Sequence, residues 1–490
     1  MKKNNTIQTM KSPEHKRRLF SGVAWYFFSN LFPAFSSLLI FSLASRIITP
    51  AELGAVTLAA TITTILTSFC AVGFGDAIIQ LKELNRKHLD TVFFIGVISS
   101  VSIYLVSVSV VEFADFSSFT SVFKSVYPVI AIKIIIDSCA IVPLSYLTRS
   151  MEFKAIAIRT MYCSIAAVLL CVPVLYFGGG IWAIVLSQVA TSLISFLILT
   201  FSAGLKLKPI FYKKYFNELK SFGLTTTCTK MVTSISVDNV IIGFYGSVVT
   251  LGIYAFSRRV FGSIADILNN AIANVTYPLY ASVQDNLVEL KKVFFKTTFF
   301  STLLSLPAFT GLIIISPYLI PLVFGSQWLV AIPVIQVCCL IGFVSCIGSI
   351  QMSLIKGLGR TSWILKYQLF QQLSTAVLVF AFAKDGALAL MLAIAIKTFI
   401  VWPYTVYYIA RILQVRIRLY LLNFLKPVLS VVLMYVCCKI VEYMIIDYGN
   451  FMHLLILILI GISSYSLCIY ILARNEIAAS INTVKKNNYL

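Results

Sequence analysis

The chain has 490 residues, of which 59% are hydrophobic, 13% aromatic and only 12% charged, with 39 Lys and Arg against 18 Asp and Glu for a net charge of +21. Soluble globular domains carry about 25% charged residues, so the composition excludes that class. The basic residues come in short clusters between apolar runs, which marks the loops of a polytopic membrane protein and not a nucleic-acid surface.

In chain order, the basic tail 1–18 precedes an apolar run over 19–45. That run has no small-residue cleavage site and reads as a retained first transmembrane helix. Cutting at polar clusters and at Gly and Pro predicts fourteen spans, each long enough for a hydrocarbon core about 30 Å thick. They cover 19–45, 51–80, 89–111, 121–147, 155–177, 180–204, 221–246, 250–280, 291–316, 328–354, 362–383, 386–410, 420–442 and 450–473. Most of the 39 basic residues fall on the side of the N-tail, so the positive-inside rule predicts that both termini are cytoplasmic. Trp25 and Trp363 read as interfacial anchors on that side, Trp182 and Trp328 on the other.

The polar stretch 205–220 divides the chain near its middle. Lys220-Ser221-Phe222-Gly223 opens the seventh span much as Leu19-Phe20-Ser21-Gly22 opens the first, and Thr250-Leu251-Gly252 answers Glu52-Leu53-Gly54. The expected fold is therefore an all-α polytopic membrane protein of about 14 transmembrane helices. It comprises two six-helix lobes in a parallel pseudo-twofold repeat (19–204 and 221–410), a cytoplasmic linker over 205–220, an added C-terminal helix pair over 420–473, and a cytoplasmic tail over 474–490.

The eleven Cys all fall in apolar segments, and the three His (His15, His88, His453) are widely separated. Neither a disulfide framework nor a metal site is expected. No nucleotide-binding loop or catalytic cluster of acids and His occurs, so the reading is a transporter with no catalytic residues and no cofactor, and not an enzyme.

The informative charges are those left inside the spans, because an ionisable group deep in a membrane costs about 2.5–3.5 kcal/mol on insertion scales and needs a partner or a wet cavity. These are the cations Lys133, Lys230, Arg258, Arg259 and Lys397 and the acids Asp137, Asp238 and Asp266. Lys133 and Lys397 fall near the midplane, and Lys133 and Asp137 share one face of a helix. Depth along antiparallel helices also pairs Asp238 with Arg258 and Arg259, and Lys230 with Asp266. Two readings follow: ion pairs that stitch helices together, or a cavity with surplus positive charge that receives an anion. The hydroxyls of the second span (Thr57, Thr61, Thr63, Thr64, Thr67) and of the seventh (Thr225, Thr226, Thr227, Thr229) suit a sugar, or else bond their own backbone. Any energy input would come from an ion gradient acting at Asp137, Asp238 or Asp266.

Three segments near the start carry a family resemblance: Ser45-Arg46-Ile47-Ile48-Thr49-Pro50-Ala51-Glu52-Leu53-Gly54, then Gly73-Phe74-Gly75-Asp76-Ala77-Ile78-Ile79-Gln80, then Arg86-Lys87-His88-Leu89-Asp90-Thr91-Val92-Phe93. Further segments are Arg149-Ser150-Met151-Glu152-Phe153-Lys154, Phe324-Gly325-Ser326-Gln327-Trp328 and Gly357-Leu358-Gly359-Arg360. Together the chain resembles Wzx-type polysaccharide flippases of the multidrug/oligosaccharidyl-lipid/polysaccharide exporter superfamily. The resemblance implies a polyprenyl-pyrophosphate-linked oligosaccharide as substrate, flipped from the inner to the outer leaflet of the bacterial cytoplasmic membrane. It further implies membrane lipids, a polysaccharide polymerase and chain-length machinery as partners, with no nucleic acid. Arg259 is carried over best by matched position, whereas Arg258 stands where relatives have an aromatic and Asp76 where a small residue is common. Alternatives of other kinds are a peptidoglycan-precursor flippase, a small-molecule exporter of the same fold, and a non-transporting scaffold of a glycan assembly complex.

Overall fold

The computed structural model describes residues 33–70, 72–113, 120–234, 236–444 and 449–487; the expected N-tail and most of the first span, with Trp25, lie outside these. The described residues form helices and connecting turns, in two compact units, 1–244 and 245–490.

The first unit contains α1 (Pro33–Ser45), α2 (Pro50–Phe69), α3 (Val72–Gln80), α4 (Arg86–Phe113), α5 (Ser121–Arg149), α6 (Phe153–Tyr176), α7 (Trp182–Ala203), α8 (Lys213–Ser234) and α9 (Val237–Tyr245), whose last residue crosses the boundary. α5 is its centre and packs against α2, α3, α4 and α7. Phe123, Val126, Tyr127, Ile130 and Ile134 of α5 are fully buried. α2 starts sharply because Thr49 and Glu52 form a reciprocal capping box, with Pro50 in the first turn, where its missing N–H costs nothing.

The second unit contains α10 (Val248–Ser282), α11 (Leu287–Val323), a 3-10 turn (Ser326–Ala331), α12 (Ile332–Gly357), α13 (Thr361–Phe382), α14 (Ala387–Ile412), α15 (Ile417–Leu422), α16 (Leu425–Met444) and α17 (Asn450–Asn487), which kinks at Ala473. Here α12 is the centre, packed against α10, α11 and α14. The packing pattern repeats that of the first unit: α5 with α2, α4 and α7 corresponds to α12 with α10, α11 and α14, and α6 on α7 corresponds to α13 on α14. The two units thus share a similar order of packing partners, although α8 and most of α9, expected to open the second lobe, fall in the first unit. The expected C-terminal pair, α16 and α17, packs against α11, where Tyr465 donates to the Leu303 carbonyl at 2.8 Å.

Among the described residues, ten helices are long and apolar enough to cross a membrane. The expected spans that do not meet this measure fall on α1, on α8 with α9, on α10 and on α13. Apart from α1, whose described part is short, these helices carry charged and amide side chains: Lys230 on α8, Arg258, Arg259 and Asp266 on α10, Lys366 and Gln371 on α13. Helices that fail as hydrocarbon-facing cylinders must turn a polar face to something else.

Two spans expected to be continuous are broken. The second divides into α2 and α3 at 70–72, the seventh into α8 and α9 at 234–237. The breaks are adjacent in the first unit, since the Gly73 N–H donates to Thr227 Oγ1 at 3.2 Å and Lys230 Nζ reaches the Val72 carbonyl at 3.5 Å. The approach of α3 to α8 needs glycine: a Cβ on Gly73 would lie 2.2 Å from the Thr227 nitrogen and 2.4 Å from the Gly223 oxygen.

Several motif residues hold this end of the unit together. Arg149 Nη1 donates to the Ile78 and Ile79 carbonyls at 2.8 and 3.2 Å, and Nη2 to Lys82 at 3.2 Å, so its guanidinium satisfies carbonyls that the end of α3 leaves without helical partners. His88 is buried; its Nδ1 accepts from the Asn85 N–H at 3.0 Å, which leaves Nε2 as the protonated nitrogen facing Glu218 at 2.9 Å. Asp90 Oδ1 accepts from the Lys208 N–H at 2.9 Å and Thr91 Oγ1 from the Tyr212 N–H at 3.3 Å. The 205–220 segment is therefore pinned along the start of α4.

Candidate functional site

The broken helices meet at a pocket of about 350 Å³ in the first unit, walled by α2, α5, α7 and α8. Its polar lining is Thr63, Thr64, Thr67 and Ser68 from α2, Lys133 and Asp137 from α5, Gln188 from α7, and Lys230 and Ser234 from α8. Three of the eight buried charges expected from the sequence, Lys133, Lys230 and Asp137, are thus brought together with the densest of the expected hydroxyl runs.

Each wall has a local cause. On α2, Thr63, Thr64, Thr67 and Ser68 recur at helical spacing and so share one face. Thr64 donates to the Ala60 carbonyl and Thr67 to the Thr63 carbonyl, both at 2.8 Å, so these hydroxyls keep lone pairs as acceptors toward the pocket. Among the described residues Thr63 Oγ1 is buried without a hydrogen-bond partner, which leaves unmet polar capacity in the pocket wall. Thr61 has a structural task instead: it donates to the Thr57 carbonyl at 2.7 Å and accepts from Asn239 Nδ2 at 3.3 Å, tying α2 to α9. The hydroxyls of α8 mostly bond their own backbone, Thr225, Thr226, Thr227 and Thr229 each donating to the carbonyl four residues earlier.

Lys133 lies near the middle of α5, one turn before Asp137 on the same face. Lys230 is paired with Asp76 of α3 at 2.7 Å. The two side chains keep 36% and 39% of their surface accessible, and so exposed a pair is worth only about 0.2–1 kcal/mol. The pair is therefore exchangeable: an incoming anion of higher charge can take the place of the carboxylate. Asp76 lies near the cytoplasmic end of the expected second span and so is not among the charges singled out in the sequence, where depth pairs Lys230 with Asp266 instead. Once α2 ends at Phe69, α3 sets Asp76 against Lys230, which lines the pocket. Gln188 and Ser234 were also missed, being neutral.

The remaining charges belong to other places. Lys397 of α14 is half-buried in the second unit and donates to Gln371 Oε1 at 2.7 Å and Thr375 Oγ1 at 2.8 Å on α13. Gln371 in turn donates from Nε2 to the Tyr367 hydroxyl at 2.6 Å. Arg258 and Arg259 are exposed on α10, and Arg258 lies 5.8 Å from the ring centroid of Tyr254. Asp266 is exposed two turns further along α10. Asp238 is in the first turn of α9, where the helix dipole favours its negative charge. All eleven Cys have free thiols.

Chemically, the first-unit pocket offers the ammonium groups of Lys133 and Lys230, hydroxyl acceptors, an amide and the carboxylate of Asp137, with Asp76 paired to Lys230 beside it. This set suits an oxyanion carried by a hydroxyl-bearing molecule.

Residues 43–333, more than half of the chain, match the family model described as polysaccharide biosynthesis protein. The chain is 21% identical over 435 residues to the teichuronic acid biosynthesis protein TuaB of Bacillus subtilis (strain 168), covering 85% of this chain and 87% of that protein. It is 21% identical over 369 residues to the lipopolysaccharide biosynthesis protein WzxC of Escherichia coli (strain K12), covering 73% of each. Against the succinoglycan biosynthesis transport protein ExoT of Rhizobium meliloti (strain 1021) it is 21% identical over 350 residues, covering 70% of each. Among solved structures, the lipid II flippase MurJ in an inward closed conformation superposes with a TM-score of 0.75 at 18% identity, covering 94% of this chain and all of that one. An inward-facing multidrug resistance transporter of the MATE family superposes with a TM-score of 0.58 at 13% identity, covering 78% of this chain and 96% of that one. The fold is that of these transporters, and the chain is a multi-pass membrane protein that belongs to the polysaccharide biosynthesis protein family.

Proposed function

We propose that the protein is a flippase, not a bond-making enzyme, which carries a polyprenyl-pyrophosphate-linked oligosaccharide from the inner to the outer leaflet of the bacterial cytoplasmic membrane, with both termini cytoplasmic. The observation that carries this reading is the first-unit pocket, where Lys133 and Lys230 stand beside the Thr63, Thr64 and Thr67 face of α2 at two adjacent helix breaks. Discontinuous helices in transporters expose backbone groups and polar side chains at membrane depth, which is where substrates bind. The two ammonium groups receive the diphosphate and the hydroxyls and Gln188 receive the first sugar. Family membership and relatives named for polysaccharide and lipopolysaccharide biosynthesis support the substrate class. The likeness to flippase and exporter folds supports alternating access.

Arg258 and Arg259 supply further positive charge along the path. The drive is an H+ or Na+ gradient acting at Asp137, Asp238 or Asp266. A polysaccharide polymerase and chain-length machinery take the product on the outer face.

Deletion of the gene in the producing cell tests the assignment. Lipid-linked oligosaccharide is expected to accumulate in the cytoplasmic leaflet and to be cleared when the wild-type chain is restored; a deletion strain with normal surface polysaccharide and no accumulation would contradict it.

The exchangeable pair gives a second test. Asp76→Asn removes the competing carboxylate from Lys230, so binding of inorganic diphosphate by the purified chain is expected to tighten by up to about fivefold in titration calorimetry. Weaker binding in that variant would mean that Asp76 positions Lys230 and does not mask it.

A further inference from the structure

The second unit carries a polar and aromatic stripe that the lysine pocket does not use. Trp363 of α13 stacks nearly parallel on Tyr408 of α14 (ring centroids 4.3 Å apart, 4° between planes) and on Tyr367 (5.2 Å, 7°), with Tyr404 at 6.1 Å and 16°. Arg360 Nη1 donates to the Tyr408 hydroxyl at 3.4 Å and closes one end. At the other end the Tyr367 hydroxyl joins the Gln371–Lys397–Thr375 hydrogen bonds. From Arg360 to Thr375 the stripe runs about 22 Å along α13.

Aromatic side chains near a helix end can serve simply as interfacial anchors. Two observations argue against that for this stripe. α13 presents Leu365, Leu369, Leu373 and Val377, all well exposed, on the side of the helix opposite to Trp363, Tyr367 and Gln371, so its hydrocarbon-facing surface is already accounted for. The aromatic stack is also continuous with Lys397, whose two bonded partners are neutral and whose third N–H has no partner among the described residues. A cation at that depth faces a wet or ligand-filled space and not acyl chains.

We infer that α13 and α14 form a saccharide track, with Trp363 and Tyr404 as stacking platforms for sugar rings and Gln371 and Lys397 as hydrogen-bond donors to their hydroxyls. A sugar ring has apolar C–H faces that pack on aromatic faces and a rim of hydroxyls that accepts from amide and ammonium groups. The stripe offers both in one line, and Tyr404 is 57% exposed and so open to a ligand. The oligosaccharide as ligand rests on the flippase reading; the diphosphate end of the same substrate belongs to the first-unit pocket.

The test uses the full chain in lipid nanodiscs and, as probe, the repeat oligosaccharide released by mild acid from the producing cell's surface polysaccharide, with no lipid or phosphate attached. Saturation-transfer NMR and titration are expected to show binding by wild type that weakens about tenfold in Trp363→Ala and in Gln371→Ala, with inorganic diphosphate binding unchanged in both. Unchanged diphosphate binding reports that the variants are folded. Equal saccharide binding in wild type and both variants, or no binding by wild type, overturns the track. Flux of the intact lipid in proteoliposomes is read separately: flux with no saccharide effect in the variants leaves the flippase and removes the track, whereas saccharide binding lost in the variants but no wild-type flux does the reverse.

Discussion

Replacing Lys133 and Lys230 together by alanine is expected to weaken binding of inorganic diphosphate by about a hundredfold or more and to abolish complementation of a deletion strain. Each ammonium–phosphate contact is a charge-assisted hydrogen bond worth about 1.5–3 kcal/mol, and tenfold in affinity is about 1.4 kcal/mol. The single variants should not be equal. Lys230 is held in an ion pair with Asp76 at 2.7 Å, whereas Lys133 has Asp137 one turn away on the same face but forms no ion pair among the described residues, so Lys133→Ala is expected to be the more damaging. Titration of the purified variants and immunoblots of membrane fractions check the result. Normal affinity and normal complementation at normal expression in both single variants would remove the pocket from the pathway.

The second large effect is steric. Gly73→Val is expected to prevent α3 from reaching α8, because any Cβ at this position meets backbone atoms of Thr227 and Gly223 at 2.2 and 2.4 Å, and backbone cannot rotate away as a side chain can. Overpacking at one site costs about 1–3 kcal/mol, and here the Gly73 to Thr227 hydrogen bond is lost as well. The expected readout is a large fall in thermal stability, or loss of the chain from the membrane. Gly348→Ala in α12 serves as control: its added Cβ has open space around it, and alanine is the better helix former by about 0.5–1 kcal/mol. A Gly73→Val chain as stable as wild type would show that α3 can leave α8 without cost.

Much of this arrangement is readable from residue types and spacing. Lys133 and Asp137 are a helical turn apart, which obliges them to share a face, and both line the pocket. The threonines of α2 were dense enough to single out, though only the bonding pattern separates Thr63, Thr64 and Thr67, which face the pocket, from Thr61, which ties α2 to α9.

What escaped the sequence has physical causes. Depth estimates that match residues across antiparallel helices assume unbroken helices, and the breaks at 70–72 and 234–237 carry no proline to announce them. Asp76 was therefore missed as the partner of Lys230. Neutral groups were missed for another reason: Gln188 and Gln371 are inexpensive enough inside a bundle to leave no mark in a charge inventory, yet Gln371 holds Lys397 in place. The motif residues Arg149, His88 and Asp90 are legible as a resemblance but not as a role; the structure makes them tethers for the end of α3 and for the 205–220 segment.

The central claim is transport of a lipid-linked oligosaccharide. It is tested most directly by reconstituting the purified chain into liposomes that carry lipid-linked oligosaccharide from the producing cell and following its appearance in the opposite leaflet with a membrane-impermeant glycan oxidant. Wild type is expected to expose the inner-leaflet pool and the Lys133→Ala, Lys230→Ala double variant to leave it protected. Equal protection in liposomes with and without wild-type protein would contradict the account.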